Sequence, residues 1–379
     1  MIFVSIFISL LLGFLSCLLI FKETKIINFR FLINLSLPIG IGLSSIIFIT
    51  LNLLGFATFL ILGIEIGAVI FIILTIKNSP KNIYQFEWFN LNKLILNPIL
   101  LLATTIYFYS WLMDVGIYFF DSIQNPHGLW DAWGDWNLGA KFISRDPNGW
   151  AHSFHQITSS MFHTDYPLLQ KGYIARCWIL AKTETVWIPI FFCFIFTFCT
   201  IGLLASSVSF FTNKTNGLIA GLILLCTPFF MTMGDSQYAD NTVGYFYLAT
   251  IVFLTFARSG KFIKPHFLIA AGITAGLAGW SKNEGLFFIV FLIASQLTLL
   301  FFKNYRELLV EMKYLLIGML PILILIVYYK TNVAPPNDIV DVHKEQTFAK
   351  LADYSRYATV SKWYFDQFSA FGKWALNPW

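Results

Sequence analysis

The stretch MIFVSIFISLLLGFLSCLLIF, Met1 to Phe21, contains no charged side chain. A helix needs about 20 mostly apolar residues to cross the hydrocarbon core of a bilayer, and this run is that long. It has neither the basic start nor the small-residue cleavage site of a secretory leader, so it reads as a retained helix. The pattern returns along the chain. Apolar segments at 31–52, 56–76, 94–113, 186–211, 216–233, 241–257, 265–281, 285–302 and 314–330 bring the expected number of spans to ten. Of the 379 residues only 12% are charged and 57% are hydrophobic, whereas a soluble domain carries about 25% charge. The fold class is therefore all-α: a polytopic helical membrane protein with about ten spans. No repeat or linker divides it, so residues 1–379 form one membrane domain. Residues 1–113 hold four N-terminal spans, 114–185 a large external loop with juxtamembrane helices, 186–330 six further spans, and 331–379 an external C-terminal segment.

Charge sets the orientation. Lys22, Lys25 and Arg30 follow the first span, and Lys77, Lys81 and Lys93 follow the third. Lys214, then Arg258, Lys261 and Lys264, then Lys303, Arg306 and Lys313 mark three later connections. Alternate crossing places all these clusters on one side, which the bias of Lys and Arg toward cytoplasmic loops makes the cytoplasm. The net charge of +5 is thus a topology signal and gives no reason to expect nucleic acid. The expected location is the plasma (inner) membrane, with the polar loops on its extracytoplasmic face. The five cysteines form no CxxC pair, and four lie in apolar segments, as buried small hydrophobes do.

The external segments carry the chemistry. In GLWDAWGDWNLGAKFISRD, Gly128 to Asp146, Asp131 precedes a run in which Trp133, Trp136, Ala140 and Ile143 recur at helical spacing. That run is expected to lie along the membrane surface with its indoles at headgroup depth. Asp135 falls off the stripe, one turn beyond Asp131 and within about 6 Å of it by helix geometry. Asp131 is either a helix cap or a general base whose proton affinity is raised by burial and a like charge. Further on, His163, Thr164, Asp165, Tyr166 and Pro167 form a turn, followed by Lys171, Arg176 and Lys182. This basic flank is either a surface anchor or an anion site for a phosphate. Asp240 opens the segment at 241–257 beside Tyr238 and Asp235. Lys282 and Glu284 interrupt the apolar run between Ile263 and Leu300, where ionisable groups are often paired or functional. His152, His155, His163 and Asp165 offer zinc-type ligands without any HExxH spacing. No metal ligand is assigned, and a divalent metal is the one cofactor left open. His127, His266 and His343 have no evident role.

Four of these segments resemble the GT-C membrane glycosyltransferases, in particular bacterial relatives of aminoarabinose transferase and protein O-mannosyltransferase, including the RgtA/B/C/D-like group. The likenesses are WDAWGDWNLGAK (Asp131), HTDYPLL at His163 to Leu169, YADNTVGYFYL (Asp240) and GLAGWSKNEGLFF (Lys282). Here the large loop follows the fourth span, where the family's usually follows the first. The resemblance implies a GT-C-like fold with a large first external loop and an inverting transfer of a hexosyl or pentosyl group. The donor would be a polyprenyl-phosphate-linked sugar, and the acceptor a glycan, lipid or protein of the cell envelope. Asp131 would be the catalytic base. Lys282, helped by Lys171 or Arg176, would neutralise the leaving phosphate. Asp135, His163, Asp165, Asp240 and Glu284 would complete the substrate and donor site. Two other readings stay open: a transporter or flippase for a lipid-linked or anionic solute, and a non-catalytic membrane scaffold. A transporter would place polar groups near the midplane, usually between repeated halves.

Overall fold

A computed structural model describes residues 2–22, 26–78, 85–87, 96–154, 163–259, 264–298, 305–337 and 344–370. Lys25, Lys81, Lys93, Lys261 and Lys303 of the basic clusters, His155, His343 and residues 371–379 lie outside the described residues. The N-terminal part contains α1 (Ile2–Ile20), α2 (Phe29–Leu53), α3 (Thr58–Asn78) and α4 (Pro98–Gln124). The loop contributes a π-helical turn (Ala132–Trp136), α5 (Asn137–Arg145), α6 (Trp150–Ser153) and α7 (Leu169–Ala181). Then come α8 (Trp187–Phe211), α9 (Lys214–Leu225), α10 (Pro228–Asp235), α11 (Asp240–Arg258), α12 (Pro265–Ser281), α13 (Asn283–Thr298) and α14 (Tyr305–Asn332). Two helices, α15 (Lys344–Ala352) and α16 (Tyr354–Ala370), close the described chain. Two strands of three residues each, β1 (Ile26–Asn28) and β2 (Gln85–Glu87), pair in parallel with Ile26 opposite Gln85. This short ladder apart, the described residues fold as the all-α membrane protein their composition predicts.

The described parts of the ten expected apolar segments lie largely on helices, with 216–233 divided between two of them. Six of those helices, α1, α2, α3, α4, α8 and α14, are individually long and apolar enough to cross a membrane. The pair α9 and α10, bent by 65° at the break before Pro228, makes a seventh when counted as one span. The remaining segments form shorter or more polar helices. The 16 residues of α13 extend only about 24 Å at 1.5 Å per residue.

Close backbone approach builds the bundle. A Cβ on Gly13 or Gly40 would collide with the carbonyl of Ser36 or Ser9, so α1 and α2 touch along their main chains. Gly272 and Gly318 do the same for α12 and α14. Small residues at such contacts are the usual device where lipid gives helices no hydrophobic reason to associate.

The loop helix α7 departs most from expectation. Its basic residues were expected on the external surface, yet nearly all of α7 is buried. It packs against α1, α2, α3 and α8. Ser45 of α2 donates to the Leu169 carbonyl at 2.7 Å, and Gly172 sits against Ile49. The ion pair of Arg176 with Glu65 of α3 lies inside the protein, both side chains being almost inaccessible. Arg176 Nε donates to Glu65 Oε1 at 3.0 Å and Nη1 to the Ser5 hydroxyl at 2.6 Å. A buried guanidinium needs such a partner. Glu65, the one charged residue in the segment 56–76, supplies it.

Candidate functional site

The ionisable residues of four distant segments meet at one end of the bundle. The break between α12 and α13 leaves Lys282 in extended backbone. Its ammonium lies 2.9 Å from Asp240 Oδ1 and 3.5 Å from Glu284 Oε1. Burial alone would favour the neutral amine, but Asp240 and Glu284 outweigh it and raise the Lys282 pKa. Asp240 is the first residue of α11 and that helix has no side-chain cap, so its observed partner is Lys282 and not the helix end.

Asp165 anchors a second knot. Its Oδ2 accepts from Asn283 at 2.8 Å and from Asn337 at 2.7 Å. Lys330, at the end of α14, stands 3.6 Å from the same oxygen and donates to Asn283 Oδ1 at 2.8 Å. Tyr329 donates to the Thr164 carbonyl and Lys330 to that of Asp165. Burial works against the Asp165 carboxylate, but Asn337, Lys330 and Asn283 outweigh it and hold its pKa below the usual value. Asn283 follows Lys282 directly, so this knot adjoins the first.

The third group is Asp135 with Lys171. Their ion pair measures 2.8 Å, and Lys171 also donates to the His163 carbonyl at 3.2 Å. Trp136 and Phe154 present their rings to the ammonium at 5.1 and 5.9 Å. Burial raises the Asp135 pKa, with Lys171 opposing, and Asp165 is the nearby like charge that adds to the rise. This corrects the expected Asp131–Asp135 pair. The segment does not continue as an ordinary α-helix through Ala132–Trp136; it forms a π turn, in which the Asn137 N–H donates to the Ala132 carbonyl. A π turn holds more residues than an α turn, so Asp135 swings inward beside Trp136 while Asp131 stays exposed. Trp133 and Trp130 are also exposed, at 48% and 68%, and their rings meet edge to face at 4.6 Å. Trp133 thus leaves the buried stripe that Trp136, Ala140 and Ile143 keep.

Asp131 is tied to the rest through the turn between α10 and α11. Its side chain makes no cap. Its N–H faces the Tyr238 hydroxyl at 3.5 Å, and the Leu129 N–H donates to the Ser236 carbonyl at 3.2 Å. Gly128 makes this crossing in a left-handed conformation (φ +74°), where a Cβ would strike Ala132 and Ser236. Tyr238 feels the charges of both Asp131 and Asp240. The structure thus gathers Asp131, Asp135, His163, Asp165, Lys171, Asp240, Lys282 and Glu284 around the loop and the facing helix ends. Arg176 is not among them. Among the described residues, no three His, Cys, Asp or Glu side chains come close enough to share a metal ion.

Sequence reasoning did not single out Lys330, Asn283 or Asn337, and it named Tyr238 only as a neighbour of Asp240. Lys330 looks like an ordinary basic flank of the last span, and the amides carry no pattern. Glu65 did leave a signal, as the lone acid inside an apolar run. A cavity of about 760 Å³ lies elsewhere, between the far halves of α11 and α13 near Arg258 and Gln296. The ionisable cluster at the opposite end is the candidate site because acids and lysines from distant segments converge there.

Helices long and apolar enough to cross a membrane, with a cluster of acids and lysines at one end of the bundle, define a multi-pass membrane protein. Residues 171–329 match the protein-family model for dolichyl-phosphate-mannose-protein mannosyltransferase, a GT-C superfamily domain, and this supports a membrane glycosyltransferase of GT-C type. The matched residues include Asp240, Lys282 and Glu284 and leave out Asp131 and Asp135. No curated protein and no solved structure matches the chain at a significant level.

Proposed function

We propose that the protein is an inverting glycosyltransferase. It moves a sugar from a polyprenyl-phosphate donor to a cell-envelope acceptor on the extracytoplasmic face of the plasma membrane. The matched family's description names a lipid-phosphate-linked mannose donor and a protein acceptor, which supports a donor of that chemical type. The observation that carries the reading is the Lys282 ammonium, held between Asp240 and Glu284 where the tips of α11 and α13 face the loop bearing Asp131. Asp131 takes a proton from the acceptor hydroxyl. The oxygen attacks the anomeric carbon, the bond to the phosphate oxygen breaks, and the lipid phosphate leaves with that electron pair. Lys282 neutralises the phosphate, because charge stabilisation counts most where charge develops. Asp240 and Glu284 aim the ammonium. Asp135 and Lys171 hold the loop, while His163 and Asp165 order the turn beneath it. Arg176, spent on Glu65, has no part in donor binding.

The test is transfer from a polyprenyl-phosphate sugar by the purified full-length chain in lipid nanodiscs. Asp131→Asn is expected to lower turnover by about 10²–10⁴, the usual worth of a positioned base. Lys282→Met is expected to weaken use of the donor more than use of the acceptor. Full turnover by a stably inserted Asp131→Asn protein would remove Asp131 as the base. Unchanged donor dependence in Lys282→Met would remove the phosphate contact.

A further inference from the structure

Gln237 sits at the centre of the α10–α11 turn, fully buried and in a left-handed conformation (φ +62°). Side chains other than Gly, Asn and Asp rarely adopt that region, and those that do are concentrated at functional sites. The side chain shows what holds it there. Nε2 donates to the Pro126 carbonyl at 3.2 Å, and Oε1 accepts from Asn137 Nδ2 at 2.8 Å. The backbone carbonyl of Gln237 accepts from Gln170 Nε2 at 2.9 Å. One residue therefore joins three segments that are far apart in sequence. Pro126 and Asn137 bracket Asp131 and Asp135. Gln170 precedes Lys171. Tyr238 and Asp240 follow Gln237 in the chain. Asn137 also donates to the His127 carbonyl at 3.1 Å, closing the loop on itself.

We infer that Gln237 is a positioning residue: its buried amide clasps the loop segment 126–137 to the start of α11 and so sets Asp131 opposite Lys282. It touches no substrate. The inference rests on the proposed glycosyl transfer for its effect on rate, and on the structure alone for its effect on the loop. A misplacement of about 1 Å in a reacting group can cost about a hundredfold in rate, so the clasp matters even though Asp131 is intact without it.

Gln237→Gly separates the two roles of the residue, because glycine keeps the left-handed turn at no steric cost and removes only the amide. Two measurements are made on the full chain in nanodiscs. Hydrogen–deuterium exchange across residues 126–137 is expected to speed up by about tenfold or more, with α12 and α14 unchanged, as local opening without global unfolding requires. Turnover is expected to fall by about tenfold or more while the KM for the polyprenyl-phosphate sugar stays within about twofold, since orientation and not binding is lost. Unchanged exchange overturns the clasp. Faster exchange with unchanged turnover overturns the positioning role. If Gln237→Gly does not insert, Gln237→Asn, which tolerates the same backbone region with an amide one methylene shorter, is judged by the same two criteria. A wild-type chain that transfers no sugar defeats the proposed activity, and the exchange result then decides the clasp by itself.

Discussion

Lys171 reaches Asp135 in a pocket walled by Trp136 and Phe154, and the pair is nearly closed to solvent. Breaking a buried pair by removing one partner costs about 3–5 kcal/mol, because a charge is left without its counterpart. Lys171→Met should show that cost with a definite pH dependence. Asp135 already sits above the ordinary 3.8, chiefly by burial, and Lys171 is the main group pulling it down. Removing Lys171 raises it further. An acid whose folded value exceeds its unfolded value binds more protons when folded, so stability falls as pH rises from near 3.8 through the folded value. Thermal unfolding in detergent should therefore find Lys171→Met closer to wild type at pH 5 than at pH 8. An equal penalty at both would mean that the stranded carboxylate is not its source. Arg176 makes the complementary point. From sequence it read as either a surface anchor or a phosphate ligand, because a basic residue in an external loop has no visible partner. Its partner, Glu65, is 111 positions away. Pairing over such distances is decided by packing, which local spacing does not encode.

At the scale of the element, legibility follows the range of the forces involved. Apolar runs such as Ile2–Ile20 and Trp187–Phe211 announce themselves because burial in lipid is a property of each segment alone. The polar breaks at Gly234–Asp240 and Ser281–Gly285 were equally visible and do carry Asp240 and Lys282 to one end of the bundle. The π turn at Ala132–Trp136 was not visible. AWGDW suits an ordinary helix, and the extra residue in the turn pays off only when Ala132, Asp135 and Trp136 find their places in the core. The bend between α9 and α10 was likewise hidden inside one apolar run, although Pro228 marks it. Helix contacts give a sharper test. Gly318 lies where α14 meets the α12 backbone at Ile269, so Gly318→Val must push the helices apart. Overpacking of this kind costs about 1–3 kcal/mol. Gly67 in α3 has open space around its missing Cβ. Gly67→Ala should leave stability unchanged or raise it slightly, since alanine favours the helix by about 1 kcal/mol. Thermal unfolding of the two variants side by side checks the contrast; equal melting temperatures would mean that α12 and α14 are not in backbone contact.

At the scale of the whole molecule, two ion-pair groups act as rulers. Lys282 with Asp240 joins the starts of α11 and α13. Arg258 meets Glu311 at 2.7 Å and also donates to Gln296, joining the ends of the same two helices to the start of α14. Each helix of the trio thus runs from one cluster toward the other, as alternate crossing from the loop charges predicts. The candidate site shares its end with the long loop and with the end of α14. The basic residues Lys77 and Lys214 belong to the opposite end, and the proposed orientation, drawn from the bias of Lys and Arg toward cytoplasmic loops, makes that end cytoplasmic. Single cysteines test the assignment in a Cys226→Ser background, since Cys226 is the one exposed native thiol among the described residues. A membrane-impermeant thiol reagent applied to intact cells should label Asn148→Cys in the loop and Ser355→Cys in α16. Lys77→Cys and Lys214→Cys should react only after the cells are opened. The reverse pattern would put the Asp131–Lys282 end in the cytoplasm and rule out a donor presented on the outer leaflet. Labelling of Asn148→Cys and Lys214→Cys from the same side would break the alternate crossing itself, because those residues sit at opposite ends of α8.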